Sequence, residues 1–205
     1  MENRSAWKVT VVALAAVAIC FPTHLGSGNH QEAMSSQRCL VAEQSLRTGD
    51  IVARARPDLI SKLVRAWQGD DRYSHVGIAV VRAGRVEVFH ADLDLENSVD
   101  GVISEDICSF LSGASRAIAL RFLKSLSDSE QNEVKTAVFG MRSTRFNKTL
   151  QWESPVGEVY CTQYLWRIFT AALPSRAIPS RAGKVLTVPQ IIDGWPLRVV
   201  HYLPM

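Results

Sequence analysis

Three side chains with the chemistry of acyl transfer stand out in the chain. Cys161 opens a predicted amphipathic helix in the stretch EVYCTQYLWRIF, and His75 and His90 lie on two apolar runs earlier in the sequence. A thiol at a helix N-terminus is stabilised as thiolate by free backbone N–H groups and the helix dipole. A neighbouring imidazole lowers the pKa of the thiol further and accepts its proton, and a second polar side chain orients that imidazole. These residue types therefore indicate a cysteine nucleophile, if the fold brings them together.

The two histidines lie on runs that predict one β-hairpin. The runs 75–81 and 86–92 are rich in strand-forming residues. They flank Ala83-Gly84, a pair typical of a two-residue turn. Each run is short enough for a single strand. A hairpin would place the histidines on neighbouring strands.

The register of this hairpin predicts which side chains share a face. If the residues that flank the turn pair, His90 faces Gly77 and Asp92 faces His75. Opposed residues share a face, as do residues two apart on one strand. His75, His90 and Asp92 are then expected on one side of the sheet, with Gly77 leaving room for the imidazoles. A slip of one residue would move His90 and Asp92 to the other side.

The remaining elements predict an α+β fold with a mainly antiparallel sheet. The chain is long enough for one domain and carries no repeat or internal linker. The cysteine helix has its apolar stripe on one side and is expected to pack against the sheet. Further strands are predicted in 48–56 and 116–123 and at the C-terminus, with helices in 57–68 and 127–140 and a short turn or helix before the last strand.

The N-terminus predicts export. Basic residues precede an uncharged run, 9–21, which is short for a transmembrane span and typical of a secretory signal. We expect a signal peptide or export segment in 1–21, a flexible tail in 22–44 and the folded domain in 45–205. Periplasmic or cell-envelope location follows, with membrane association through the N-terminus possible. Lipidation of Cys20 is the minority alternative, because Ile19 precedes it where bacterial lipoprotein signals resemble one another in having a small residue.

The four cysteines allow one disulfide and leave a reactive thiol. In an oxidising compartment Cys39 and Cys108 could pair, which the sequence alone does not establish. Cys161 would then stay free. The alternative for Cys161 is an inert, buried small side chain, because a lone cysteine beside aromatic residues is usually that.

Several other classes of function find little support. The net charge is +3 without a basic and aromatic stripe, so nucleic-acid binding is not expected. No Gly-x-Ser-x-Gly motif is present for a serine hydrolase. Histidines at i, i+4 and Cys-x-x-Cys pairs are also missing from the sequence, so we expect neither a metal site nor another cofactor.

Four motifs in order resemble one known family. TGDIV, YSHVGIAV, VFHA and VYCTQYLW are similar to elements of the NlpC-type permuted papain-like cysteine hydrolases, the YiiX-like group, which is related to lecithin retinol acyltransferase-like families. The resemblance covers roughly 46–202. It implies a circularly permuted papain-like fold in which the histidine strand precedes the cysteine helix.

The resemblance also implies roles for individual residues. Cys161 matches the nucleophile and His75 the general base. His90 matches the third polar position, often Glu in the YiiX-like group, whereas a histidine there resembles the lecithin retinol acyltransferase relatives. Asp92 is the alternative orienter, because the hairpin register puts it opposite His75. Two neighbours of the cysteine complete the set: Tyr160 could border the oxyanion site or simply pack, and Gln163, where many members carry Glu, would lie on the helix surface or line the pocket.

The expected activity is cleavage of an amide bond through a thioester on Cys161. By resemblance, a cell-wall peptide or related amide is the leading substrate. A lipid acyl hydrolase or acyltransferase is the alternative that His90 suggests. A third possibility is a non-catalytic envelope module that uses the same groove for binding only. Aromatic residues such as Trp67, Phe146 and Trp152 could line that groove or belong to the core.

Overall fold

The structure is a computed structural model of the 205-residue chain. It describes residues 39, 41–94, 98–150, 152, 157–176, 178–179 and 185–203. The predicted signal segment, Cys20 and most of the predicted tail lie outside these residues. Among the described residues, no helix is long and apolar enough to cross a bilayer.

A six-stranded antiparallel sheet forms the centre of the fold, which confirms the predicted α+β class. Its strand order is β4-β3-β2-β1-β5-β8. The strands are β1 (Ile51–Ala55), β2 (His75–Arg82), β3 (Arg85–Asp94), β4 (Val99–Asp106), β5 (Arg116–Phe122) and β8 (Leu197–Leu203). Two short strands, β6 (Arg145–Phe146) and β7 (Glu158–Val159), pair in parallel beside it.

Within the described residues, five helices connect these strands. They are α1 (Leu59–Gln68), α2 (Ile107–Leu111), α3 (Asp128–Gly140), α4 (Cys161–Ala172) and α5 (Val188–Gly194). The α3 helix begins at a capping box, because Ser127 and Glu130 each bond the other's backbone N–H. The α4 helix begins at Cys161, as the sequence predicts.

The hairpin of β2 and β3 has the predicted register. Arg82 pairs with Arg85 across the turn, and the pairs continue to Ile78 and Phe89. Ala83 and Gly84 both have positive φ, 47° and 77°, as the favoured type of two-residue turn requires. The pairs between β2 and β3 end at Ile78 and Phe89, so 75–77 pair with β1 but not with β3.

Two apolar layers lie on opposite faces of the sheet. On one face, side chains such as Ile78 and Phe89 pack against α4, whose stripe of Tyr164, Leu165 and Ile168 is fully buried. The cysteine helix therefore packs against the sheet, as expected. On the other face, side chains of β1, β2 and β3 pack against Phe110 of α2 and against a helical turn at 41–45.

The structure differs from the sequence prediction after β3 and at the start of the domain. The sequence patterns do not predict β4 or α2. Part of the segment expected as a flexible tail is ordered, because 41–45 are helical and Ala42 is fully buried. Cys39, next to this turn, is joined by a disulfide to Cys108 of α2, with 5.0 Å between the Cα atoms. The pairing that the sequence leaves open is thus present in the structure.

The first strand is preceded by a buried ion pair. Asp50 accepts two hydrogen bonds from Arg121 on β5, at 2.8 and 2.6 Å, and one from the Arg47 N–H at 2.8 Å. Only 2% of the Asp50 side chain and 11% of the Arg121 side chain are exposed. This ion pair fixes the residue that precedes β1 to strand β5.

Gly77 is expected to tolerate no side chain. A Cβ at this position would lie 2.5 Å from Val88 Cγ1, 3.1 Å from the Phe89 carbonyl oxygen and 3.3 Å from His90 Cβ. Gly77→Ala should therefore lower the unfolding free energy by about 1–3 kcal/mol, measured by urea denaturation. Gly140→Ala is the matched control, because a Cβ there meets nothing within 4 Å. Equal stability of both variants would contradict the close approach of β2 and β3.

Candidate active site

The three predicted polar residues of the hairpin come together at one end of β2 and β3. His75 Nε2 lies 2.8 Å from His90 Nδ1, and the two rings meet edge to face. Asp92 Oδ2 lies 3.8 Å from His90 Nδ1. Donor atoms of all three residues fall within 4.8 Å of one another. The predicted shared face is therefore correct.

The contacts favour His90 over Asp92 as the neighbour that orients His75. His90 is fully buried and hydrogen-bonded to His75. Asp92 is directed to His90 and to Arg54, 3.6 Å from the Arg54 guanidinium. Within the described residues no hydrogen bond joins Asp92 to His75. Asp92 belongs to the charged surroundings of the pair.

Two residues of this cluster are missed by sequence reasoning. Glu105 Oε2 lies 3.2 Å from His90 Nε2, and Arg54 Nη1 lies 3.4 Å from the same carboxylate oxygen. The Arg54 side chain is 4% exposed, and its guanidinium lies 4.1 Å from the Phe110 ring centroid. Burial lowers the pKa of Arg54 to about 10. The sequence does single out Arg54, because it is a basic residue in an otherwise apolar strand. Glu105 could not be found in this way, because it lies on a strand that the sequence patterns do not predict.

The hydrogen bonds couple the tautomers of the two histidines. The bond to His90 is the largest cause that lowers the pKa of Glu105, so the carboxylate is ionised at neutral pH and can only accept. When the His90 ring is neutral, it donates from Nε2 to Glu105 and accepts at Nδ1. His75 must then donate from Nε2, which leaves its Nδ1 without a proton. Burial, followed by His90 and two arginines, sets the pKa of His75 well below 6.5, so this ring is neutral at pH 7.

Cys161 lies at the same end of β2 but approaches from the other side of the sheet. The backbone N–H groups of Val76, Thr162 and Cys161 itself lower the pKa of its thiol, which places the sulfur beside these groups. Val76 follows His75 in the segment of β2 that does not pair with β3. The rings of His75 and His90 pack toward Phe110, on the face away from α4. No hydrogen bond between Cys161 and His75 is present in the described structure.

The resting thiol is neutral, contrary to the expectation of a lowered pKa. Burial is the largest cause and Asp92 adds to it, and together they raise the pKa of Cys161 to about 11. The three backbone N–H groups act in the opposite direction and are outweighed. The cysteine and His75 are therefore both uncharged at pH 7, which differs from a preformed thiolate–imidazolium pair.

Tyr160 and Gln163 hold the start of α4. Tyr160 is buried, and its hydroxyl accepts a hydrogen bond from the Leu186 N–H at 3.1 Å. It packs, which is one of its two predicted placements. Gln163 is 1% exposed and donates from Nε2 to the Trp152 carbonyl oxygen at 2.9 Å, while its Oε1 accepts from the Tyr160 N–H. The predicted helix-surface position of Gln163 is therefore wrong.

His75, His90 and Asp92 also form a set of possible metal ligands, which local sequence motifs do not reveal. Two imidazoles and a carboxylate are a common ligand set. However, two nitrogens bound to one tetrahedral zinc lie about 3.3 Å apart, and those of His75 and His90 are 2.8 Å apart in a hydrogen bond. The Arg54 guanidinium also lies beside the Asp92 carboxylate. The structure shows the arrangement of a hydrogen-bonded relay, and a cation bound by both rings would have to replace the His75–His90 hydrogen bond.

Loss of the Glu105 carboxylate is expected to impair any reaction that needs His75 as a base. Glu105→Leu removes the acceptor that fixes the His90 tautomer, so kcat should fall roughly 10- to 100-fold with little change in KM. Glu105→Gln keeps an acceptor oxygen and should recover most of this loss. The measurement is the kcat and KM of both variants across the pH range. A loss confined to KM would contradict a role in the relay.

Comparison with known proteins supports the fold. No model of a protein family matches the sequence, and no curated protein matches it. Among solved structures, the fold is similar to that of the metalloprotein YiiX from Escherichia coli O157:H7, with a TM-score of 0.64. The two sequences are 18% identical, and the similarity covers 77% of this chain and 98% of the YiiX chain. The chain therefore has a YiiX-like α+β fold.

Proposed function

We propose that the protein is a cysteine hydrolase that cleaves an amide bond through a thioester on Cys161. The observation that carries the proposal is the chain of hydrogen bonds from Glu105 through His90 to His75, which, with a neutral His90, leaves His75 Nδ1 as a free base. The sulfur lies at the backbone of the residue that follows His75. A relay that ends in an unprotonated nitrogen supplies the base that a nucleophilic cysteine requires.

The reaction begins with transfer of the thiol proton to His75 Nδ1. The sulfur attacks the carbonyl carbon, and the backbone N–H of Cys161 is a candidate donor to the developing oxyanion. His75 then returns the proton to the leaving amine, the C–N bond breaks and a thioester remains. Water gives a proton to His75 and attacks the thioester, the C–S bond breaks, and the thiol regains the proton.

This sequence of steps requires His75 Nδ1 and Cys161 Sγ to approach each other when substrate binds. The segment 75–77 pairs with β1 but has no ladder partner on β3, so a shift of its His75 end would cost no pairs with β3. Catalytic hydrogen bonds are often formed only in the substrate complex. His90 orients the base throughout.

The second part of the proposal is that the protein is exported to an oxidising compartment. The disulfide between Cys39 and Cys108 supports export, because such bonds persist outside the reducing cytosol. The N-terminal apolar run supports the same location. The periplasm or cell envelope would supply the proposed substrate, a cell-wall peptide or related amide.

The name of YiiX as a metalloprotein raises the question of metal binding by this chain. In the structure the His75–His90 hydrogen bond occupies the nitrogens that a cation bound by both rings would need. No step of the proposed reaction uses a metal.

The test combines two substrate classes with detection of the intermediate. The protein is incubated with muropeptides and, in parallel, with phospholipid vesicles, and products are identified by mass spectrometry. New amino groups from muropeptides, together with an acyl adduct on Cys161 in intact-protein spectra, are expected. Release of fatty acids alone would favour the lipid acyl hydrolase. The exposed apolar side of helix α1, near the site, is an independent argument for that activity. Binding without turnover by wild type and Cys161→Ser alike would favour the non-catalytic module.

A further inference from the structure

Helix α1 is amphipathic in the reverse sense of a normal surface helix. Its apolar side chains face solvent: Leu59 is 70% exposed, Ile60 71%, Leu63 59% and Trp67 58%. They are half of the eight large apolar side chains that the described residues expose. Surface helices normally turn their apolar stripe to the core. This helix therefore carries an apolar stripe that an outside partner would bury.

The polar side of the helix is the side that holds it to the protein. Ser61 is buried, and its hydroxyl lies 2.5 Å from Ser74 Oγ and accepts from the Arg56 N–H at 3.0 Å. Gln68 accepts from the Val188 N–H at 2.8 Å. These bonds tie α1 to the segment before His75 and to the start of α5. The helix is thus fixed with its apolar stripe outward.

Positive charge is in excess around the stripe. Lys62 and Arg65 are the charged residues within the helix, and Arg56 precedes it. The acids at the two ends of the helix are engaged. Asp58 is the N-cap and accepts from the Ser61 N–H at 2.7 Å, and Asp70 and Asp71 pair with Arg72 and Arg116. A second copy of the chain seated on this stripe would bring like charges together. An anionic surface is the complementary partner, and tryptophan and leucine beside lysine and arginine are typical of helices that lie in a membrane interface.

We propose that α1 docks on an anionic lipid membrane, with Leu59, Ile60, Leu63 and Trp67 in the interface. At ten residues the helix is too short to span a bilayer, so it lies in the plane of the surface. Because Ser61 and Ser74 connect α1 to His75, docking brings the histidine end of the sheet close to the lipid headgroups. The proposal does not depend on the proposed hydrolysis.

The experiment uses Trp67 as a reporter in the full chain. Protein is mixed with vesicles of equimolar phosphatidylglycerol and phosphatidylcholine, with or without bromine on the acyl chains, which quenches tryptophan on contact. The signal of Trp67 is obtained by subtraction of the Trp67→Phe variant. We expect Trp67 to be quenched. This readout reports α1 itself, even if the N-terminus also binds the membrane.

Variants separate membrane docking from self-association. Leu63→Glu is expected to weaken the quenching-derived partition at least about tenfold, whereas Leu123→Glu, at a side chain 62% exposed outside the helix, should not change it. Lys62→Glu should weaken partition into the anionic vesicles. Absence of Trp67 quenching, or equal quenching in Leu63→Glu, would overturn the proposal. So would a dimer in sedimentation that Leu63→Glu disrupts while Trp67 stays unquenched, because the stripe would then bind a second copy.

Discussion

Replacement of His75 by alanine is expected to lower amide hydrolysis roughly 10²- to 10⁴-fold, the range typical of a lost general base. Cys161→Ser should reduce turnover to background and abolish the acyl adduct. Both expectations rest on the relay that leaves His75 Nδ1 unprotonated. The measurement is kcat/KM for the substrate found in the muropeptide or lipid screen.

The matched control is His201→Ala. His201 lies on β8, at the opposite side of the sheet from β3, and is half-buried. It should leave turnover unchanged. If His75→Ala and His201→Ala reduce kcat/KM equally, or if Cys161→Ser retains activity, the proposed function is wrong.

The pH dependence of this site differs from that of a preformed ion pair. The pKa of His75 lies well below 6.5, so the base is available at neutral pH and is lost only as the pH falls through that lower pKa. The pKa of Cys161 is about 11, so alkylation by iodoacetamide should be slow at pH 7 and rise about tenfold per pH unit in the alkaline range. Fast alkylation at acidic pH that requires His75 would contradict the neutral resting state.

The largest expected effect on stability comes from Asp50. Asp50→Ala leaves the Arg121 guanidinium buried without its carboxylate and removes the acceptor of the Arg47 N–H. The unfolding free energy should fall by about 3–5 kcal/mol, because an uncompensated buried charge is costly. Urea denaturation followed by circular dichroism measures the loss.

Two further variants test the cause of that loss. The double variant Asp50→Leu with Arg121→Met removes both charges and should recover much of the stability. Asp100→Ala removes an exposed partner of Lys148 and should cause no measurable change, since exposed ion pairs contribute little. A double variant as unstable as Asp50→Ala would show that shape, and not the unpaired charge, causes the effect.

The hairpin and the cysteine helix could be predicted because local rules specify them. A two-residue turn fixes the register of β2 and β3, and that register determines which side chains share a face. The stripe of α4 and the capping residues of α3 are equally local. The overall class followed from these elements.

Contacts between distant segments could not be predicted in the same way. Glu105 meets His90 because β4 pairs with β3, and β4 carries half-exposed, acidic residues instead of an apolar alternation. The raised pKa of Cys161 depends on burial by several elements, which no single motif reports. The apolar spacing of α1 is a local pattern, but the direction in which this stripe faces is set by Ser61 and Gln68, whose partners lie elsewhere in the chain.

The strand order has a consequence for how fast the protein folds. β2, β3 and β4 are neighbours in both sequence and sheet, whereas β1 and β5 pair across the whole meander and β5 pairs with the last strand. Closing such large loops is entropically costly, so non-local strand pairs form late and folding is slow. We expect pulse-labelled amide exchange to show protection in the β2–β4 meander before β8. The histidine pair would then be assembled first, and the cysteine helix would reach it only as the C-terminal part of the chain packs onto the sheet.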